Sequence, residues 1–164
     1  MGNCVKLQRM KRIFDSILAI SIFLMLLIAL LLITALVFAT SKGPALYWSD
    51  RVGKNNTIFK MPKFRSMLID TPAVATHLLD DPVSYLSPIG SFLRSSSLDE
   101  LPQLFSVLRG DMSFVGPRPA LFNQEDLIAL RTEKGVDKLL PGITGWAQVN
   151  GRDELSIPEK VELD

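Results

Sequence analysis

Residues 16–41 read SILAISIFLMLLIALLLITALVFATS, 26 positions without a charged side chain. As a helix this run is long enough to cross a hydrocarbon core of roughly 30 Å. Lys6, Arg9, Lys11 and Arg12 precede it like the basic start of a secretory signal. The run exceeds the roughly 7–15 apolar residues of such a signal, however, and no A-x-A cleavage site precedes Lys42. It therefore reads as a retained membrane anchor. It holds no Pro or Gly, so nothing local breaks it. Lys42, Arg51, Lys54, Lys60, Lys63 and Arg65 make the second flank basic too. The positive-inside rule then leaves two topologies open, a straight span with one basic flank outside and a re-entrant hairpin with both in the cytosol.

Charge divides the chain at the end of this segment. Residues 1–42 carry a net charge of +4 and residues 43–164 a net charge of −3. The division separates a basic N-terminus with a membrane-embedded helix over 1–42 from a soluble domain over 43–164, long enough for one small core. A net acidic domain argues against a nucleic-acid partner, whose phosphates must be neutralised. The basic N-terminus suits anionic lipid instead. The single Cys4 excludes an intramolecular disulfide and a thiolate zinc site, and Lys6 stands where a myristoylation signal needs Ser or Thr. His77 has no second His nearby and reads as a surface or loop residue. No Walker A loop or G-x-G-x-x-G turn is present.

Beyond Ser41-Lys42-Gly43-Pro44, two alternating runs over 45–48 and 57–61 flank Gly53-Lys54-Asn55-Asn56 and predict a hairpin. Residues 70–90, with three prolines, predict an irregular connection with one helical turn over 73–79. Leu101, Leu104, Phe105 and Leu108 make one helical face that stops at Gly110. Further helices are expected over 123–134 and 156–164. The stretch from 141 to 152 mixes turn residues with one short extended run.

At the start of the Leu101 helix stands Ser97-Leu98-Asp99-Glu100-Leu101-Pro102-Gln103. Ser97 and Glu100 match the S-x-x-E capping box, and Asp99 is an alternative cap. A helix N-terminus favours ionised carboxylates and can also hold a phosphate. An ionised Asp can attack phosphorus to form an acyl phosphate, and a neighbouring Glu can ligate Mg²⁺. The plainer account is that Glu100 only closes the box and Asp99 only complements the dipole. Nearby cations favour the phosphate reading. Arg51, Lys54, Lys60, Lys63 and Arg65 fall in a 15-residue window without an acid, Arg94 lies five residues before Asp99, Arg118 sits in the corner Gly116-Pro117-Arg118-Pro119, and Arg152 follows the turn pair Asn150-Gly151. Guanidinium groups on rigid turns suit phosphate recognition, although each alone could be an ordinary surface cation.

These motifs, in this order, closely resemble the bacterial sugar transferase family, the monotopic phosphoglycosyl transferases. The likeness runs through KRIFD at 11–15, SKGP at 41–44, RVGK at 51–54, FKMPKFRSM at 59–67, SPIGSFLRSSSLDELPQLF at 87–105, RGDMSFVGPRP at 109–119 and PGITGWAQVNGR at 141–152. The resemblance implies an α+β fold, with an N-terminal re-entrant membrane helix followed by a small, mostly helical catalytic domain that carries a short β-hairpin. It also implies transfer of a phospho-sugar from a UDP-sugar to polyprenol (undecaprenyl) phosphate at the cytosolic face of the bacterial inner membrane. Asp99 matches the nucleophile and Glu100 the acid that helps to bind Mg²⁺. Lys63, Arg94, Arg118 and Arg152 match phosphate-holding cations. Two departures stand out: Leu27-Ile28 occupies the place of a Ser-Pro break, and relatives continue past Glu162-Leu163-Asp164 through further membrane-associated helices. The chain is accordingly expected to be short at its C-terminus. The other classes to be separated are an inactive membrane adaptor that keeps the fold and a phosphatase with an aspartyl-phosphate intermediate, which would ordinarily carry D-x-D rather than D-E.

Overall fold

The computed structural model describes residues 2–72, 81–151 and 154–164. The apolar run is not one helix. Helix α1, Gly2–Met25, and helix α2, Leu27–Thr40, meet at Leu26, and their axes are bent by 64°. Both arms stay hydrogen-bonded up to the break, with Leu26 N–H donating to Ile22 O and Leu30 N–H to Leu26 O. Only the Leu26 backbone, at φ −96° and ψ 6°, leaves the helical region.

Tertiary packing accounts for a bend that local residues do not. On α1, Ala19 and Ile22 join Met61, Leu104, Val107 and Met112 in one core cluster. On α2, Leu30, Ile33 and Val37 join Phe64 and Leu93 in another. The two arms thus fit two faces of one body. Polar side chains pin the first arm further. Buried Asp15 accepts a hydrogen bond from Ser113 Oγ at 2.8 Å, Lys11 Nζ donates to Val115 O at 2.9 Å, and Arg12 donates to the carbonyls of Val107 and Leu108.

The opposite faces of the arms are exposed and apolar, including Leu24, Met25, Ile28, Leu31, Leu32 and Phe38. Apolar surface this extensive marks an interaction with lipid or a partner. Among the described residues no single helix is long and apolar enough to cross a membrane, whereas the bent pair together is. Fourteen residues of α2 rise only about 21 Å, short of a core roughly 30 Å thick.

The expected hairpin is present and longer than its alternation suggested. Strands β1, Leu46–Val52, and β2, Ile58–Phe64, pair antiparallel around a turn in which Asn55 and Asn56 adopt positive φ. Tyr47 faces Lys63, Ser49 faces Met61 and Arg51 faces Phe59. Helix α3, Gly90–Ser95, begins where the irregular connection expected from sequence ends. It lies against the end of β2 because residue 90 has no side chain; a Cβ there would fall 1.9 Å from Ser66 O. The expected turn over 73–79 lies outside the described residues, as does His77.

Helix α4, Leu104–Arg109, stops where expected, with Gly110 at φ 96°. Its start differs from expectation, because residues 98–103 form a 3₁₀ turn that contains Pro102. Strand β3, Ser113–Val115, leads through the Gly116 corner to helix α5, Glu125–Glu133, and back to strand β4, Gly142–Thr144, which pairs parallel with β3. Two short helices follow, α6 at Trp146–Val149 and α7 at Ile157–Leu163, and α7 packs Val161 against Ala120 and Leu127. Among the described residues the fold is therefore mixed helix and strand, with two small two-stranded sheets.

Candidate active site

Ser97 holds positive φ, 57°, and its side chain makes no cap hydrogen bond. This overturns the expected capping box, and Asp99 does not cap in its place. The 3₁₀ turn sends the two acids in separate directions. Glu100 turns to cations: Lys63 Nζ donates to its Oε1 at 2.8 Å and Arg118 Nη2 to the same oxygen at 3.0 Å. The plainer reading of Glu100 as a local cap fails, because a charge-assisted pair with two cations outweighs one backbone N–H.

Asp99 is only 8 % exposed and lines a cleft of about 270 Å³. Lys63, Arg51, Arg65 and Arg94 line the same cleft, with Tyr47 and Leu121 among its less polar walls. Lys63 reaches it from β2 and Arg51 from β1, on the face that the hairpin register makes common. Arg94 comes from α3 and also donates Nη1 to Met67 Sδ at 3.3 Å. Glu100 and Arg118 are not among the residues that line the cleft, but they adjoin it: Glu100 pairs with the cleft residue Lys63, and Arg118 pairs with Glu100.

Burial separates the acidities of the two carboxyls. It pushes Asp99 above the usual carboxylate range, with the neighbouring Glu100 adding to the rise, while Lys63 and Arg94 oppose it. Burial also acts to raise Glu100, but Lys63 and Arg118 together overcome it and hold this carboxyl at about 2. Glu100 is thus a fixed anion and Asp99 the more basic, more nucleophilic of the two. Among the cations, burial and then Arg118 push Arg51 down to about 10, and burial lowers Lys63. Cations drawn below their ordinary values by burial and mutual repulsion gain from the arrival of an anion. The cleft suits a phosphate group and places a carboxylate within its wall.

The structure brings together five of the six site residues expected from sequence: Asp99, Lys63 and Arg94 in the cleft, and Glu100 and Arg118 joined to it by ion pairs. Arg152 lies outside the described residues. The sequence marks Arg51 only as part of a basic window, whereas in the fold it lines the cleft and donates to Ser49 Oγ at 3.0 Å and Pro119 O at 3.2 Å. Extending the strand alternation past 48 would have placed it on the Lys63 face. Lys60, from the same basic window, instead pairs with Asp50 at an exposed position.

The model of the family described as bacterial sugar transferase matches residues 6–164. This chain belongs to that family. An uncharacterized sugar transferase of Bacillus subtilis, EpsL, is 40% identical over 94% of this chain and 75% of its own length. The undecaprenyl-phosphate galactose phosphotransferase of Salmonella typhimurium is 38% identical over 94% of this chain, and the UDP-glucose:undecaprenyl-phosphate glucose-1-phosphate transferase of Escherichia coli is 40% identical over 93%. This family member spans only about a third of the length of those last two relatives.

No group of three or more metal-ligating side chains occurs among the described residues. Mg²⁺ bound with substrate phosphates needs only one or two protein carboxylates. Glu100 is the carboxylate here that could serve, since it is held ionised and both of its ion pairs fall on Oε1 rather than Oε2.

Proposed function

We propose that this chain transfers a phospho-sugar from a UDP-sugar to polyprenol (undecaprenyl) phosphate, releasing UMP. The observation that carries the reading is a buried, relatively basic Asp99 in the wall of a cationic cleft, next in sequence to an acid held ionised by two other cations. In the first step an Asp99 carboxylate oxygen attacks the β-phosphorus of the donor. The bond from that phosphorus to the bridging oxygen breaks, and UMP leaves with the electron pair. In the second step an oxygen of polyprenol phosphate attacks the same phosphorus, the acyl–phosphate bond breaks, and Asp99 is regenerated as a carboxylate while polyprenol diphosphate-sugar forms. Lys63, Arg94 and Arg118 hold phosphate oxygens and offset their charge, which is most of what phosphoryl transfer asks of a protein. Glu100 would hold Mg²⁺, which when bound neutralises diphosphate charge.

In this reading the arms α1 and α2 enter one leaflet and return, with the 64° bend at the turning point. Their apolar faces meet lipid, and the basic N-terminus and the catalytic body share the cytosolic side of the bacterial inner membrane. The bend and the two basic flanks both favour this over a straight span.

The names of similar proteins supply the donors to try first, UDP-glucose and UDP-galactose, with undecaprenyl phosphate as acceptor. Detergent-purified protein incubated with donor labelled in the β-phosphate is expected to acquire covalent label and release UMP in the presence of Mg²⁺, and to stop in excess EDTA. Release of inorganic phosphate would identify a phosphatase. Binding of donor across a donor screen with neither label nor UMP would identify an adaptor that keeps the pocket without the chemistry.

A further inference from the structure

Arg118 lies in a stretch without regular secondary structure, between two prolines that have no N–H to donate. Its position is set through carbonyls. Pro117 O accepts from Gly142 N–H at 2.8 Å, Arg118 O from Arg131 Nη1 at 2.8 Å, Pro119 O from Arg51 Nη1 at 3.2 Å and Ala120 O from Val52 N–H at 2.9 Å. Four successive peptides are thus held by four different residues.

Arg131 is the unusual member of this set. It projects from α5, is 7 % exposed, and does not line the Asp99 cleft. Its other donors, Nε at 2.8 Å and Nη2, go to Asp164 Oδ2 just beyond α7. A buried ion pair adds little net stability, since apolar residues of similar volume commonly pack as well or better. Holding α5 against α7 therefore does not by itself explain an arginine here. The third bond does: it fixes the carbonyl of the residue whose guanidinium reaches Glu100 at 3.0 Å. The planar fork serves both partners at once, which a lysine ammonium on a shorter reach does not.

We propose that Arg131, oriented by Asp164, is a positioning residue for the active site, setting the Arg118 backbone and through it the contact between Arg118 and Glu100. The proposal rests on the reading of Arg118 as a cation for the donor's phosphates. Two changes test it in the full chain, R131K, which keeps the charge beside Asp164, and the double variant R131M/D164L, which removes the pair. Each is made alone and in an R118A background, with thermal melting to verify folding and UMP release to give kcat and KM for the donor.

Folded R131K and R131M/D164L are expected to raise the donor KM about tenfold, and to add no further loss once Arg118 is alanine. A pair that only supports the fold would lower activity by the same factor in both backgrounds. Unchanged KM in the folded variants, or equal losses in the two backgrounds, would overturn the proposal. So would failure of both variants to fold, which assigns the pair to stability alone. An unchanged KM in R118A by itself would overturn the role of Arg118 and this proposal together, and is distinguishable because residues 131 and 164 are then intact.

Discussion

The same four-residue pattern, S-x-x-E, occurs at 97–100 and at 156–159, and the fold treats the two differently. At the second, the capping box closes: Ser156 N–H donates to Glu159 Oε2 at 2.9 Å, and the Ser156 side chain accepts from the Glu159 backbone. At the first, Ser97 caps nothing and Glu100 leaves for Lys63 and Arg118. The Glu159 carboxyl is fully exposed, and among the described residues no cation pairs with it. Glu100 is surrounded by cations brought from β2 and the Gly116 corner. A local motif holds where solvent is the only alternative and yields where buried charges offer more. Its failure at 97–100 coincides with the candidate site, where Glu100 pairs with Lys63 and Arg118.

The largest expected effect separates the two acids of that failed box. Asp99→Asn is expected to abolish covalent labelling, with turnover falling on the order of 10³-fold or more, because an amide cannot attack phosphorus. It should not lower the melting temperature. Burial raises the Asp99 pKa, so its ionised form opposes folding at neutral pH and the neutral amide relieves that cost. Labelling that survives the change moves the nucleophile to another residue.

Glu100→Gln is expected to lose both activity and stability. The folded pKa of about 2 lies below the ordinary 4.5, so the carboxylate contributes stability above about pH 4.5 that is lost as pH falls through that value toward 2. The shift corresponds to about 3 kcal/mol. Chemical denaturation at neutral pH should show a deficit of that order, and the gap between variant and wild type should close as pH drops, since protonation makes the wild type resemble the amide. A gap independent of pH would mean that the ion pairs do not stabilise the fold.

Arg118→Lys tests whether geometry or charge matters at the corner. The lysine keeps a cation but not the planar fork, and a tenfold or greater loss in kcat/KM is expected, corresponding to about 1.4 kcal/mol or more. Full activity would return Arg118 to the class of structural partners of Glu100.

How legible the molecule was in its sequence follows the same division between local and non-local causes. The hairpin turn, the stop at Gly110, and helices α5 and α7 rest on neighbours in sequence and were readable. The parallel pairing of β3 with β4 joins two three-residue strands across the whole of α5, and nothing in either strand announces it. The bend at Leu26 was hidden for a related reason, because it follows from two core clusters rather than from a helix-breaking residue. At the site, Asp99 and Glu100 were legible as a pair through the family's motifs. Their unequal acidities were not, because these depend on which cations the folded chain places beside each.

The smallest effect sharpens the comparison most directly, since it substitutes the same residue at the two equivalent positions. Ser97 has φ 57°, a region that costs an L-residue about 1 kcal/mol or more and glycine nearly nothing. Its side chain makes no capping bond, so Ser97→Gly removes strain without removing a contact, while adding some freedom to the unfolded chain. The expected outcome is neutral to stabilising by less than about 1 kcal/mol. Ser97→Ala lacks the compensation and should destabilise slightly. At the other box the order reverses: Ser156 has φ −62°, where glycine brings no relief, and its hydroxyl caps α7. Ser156→Ala should cost about 1 kcal/mol and Ser156→Gly less. Thermal melts of the four variants decide the matter. An alanine at 97 that costs as much as one at 156 would mean that the first box closes after all, and that Glu100 is shared between its cations and the backbone.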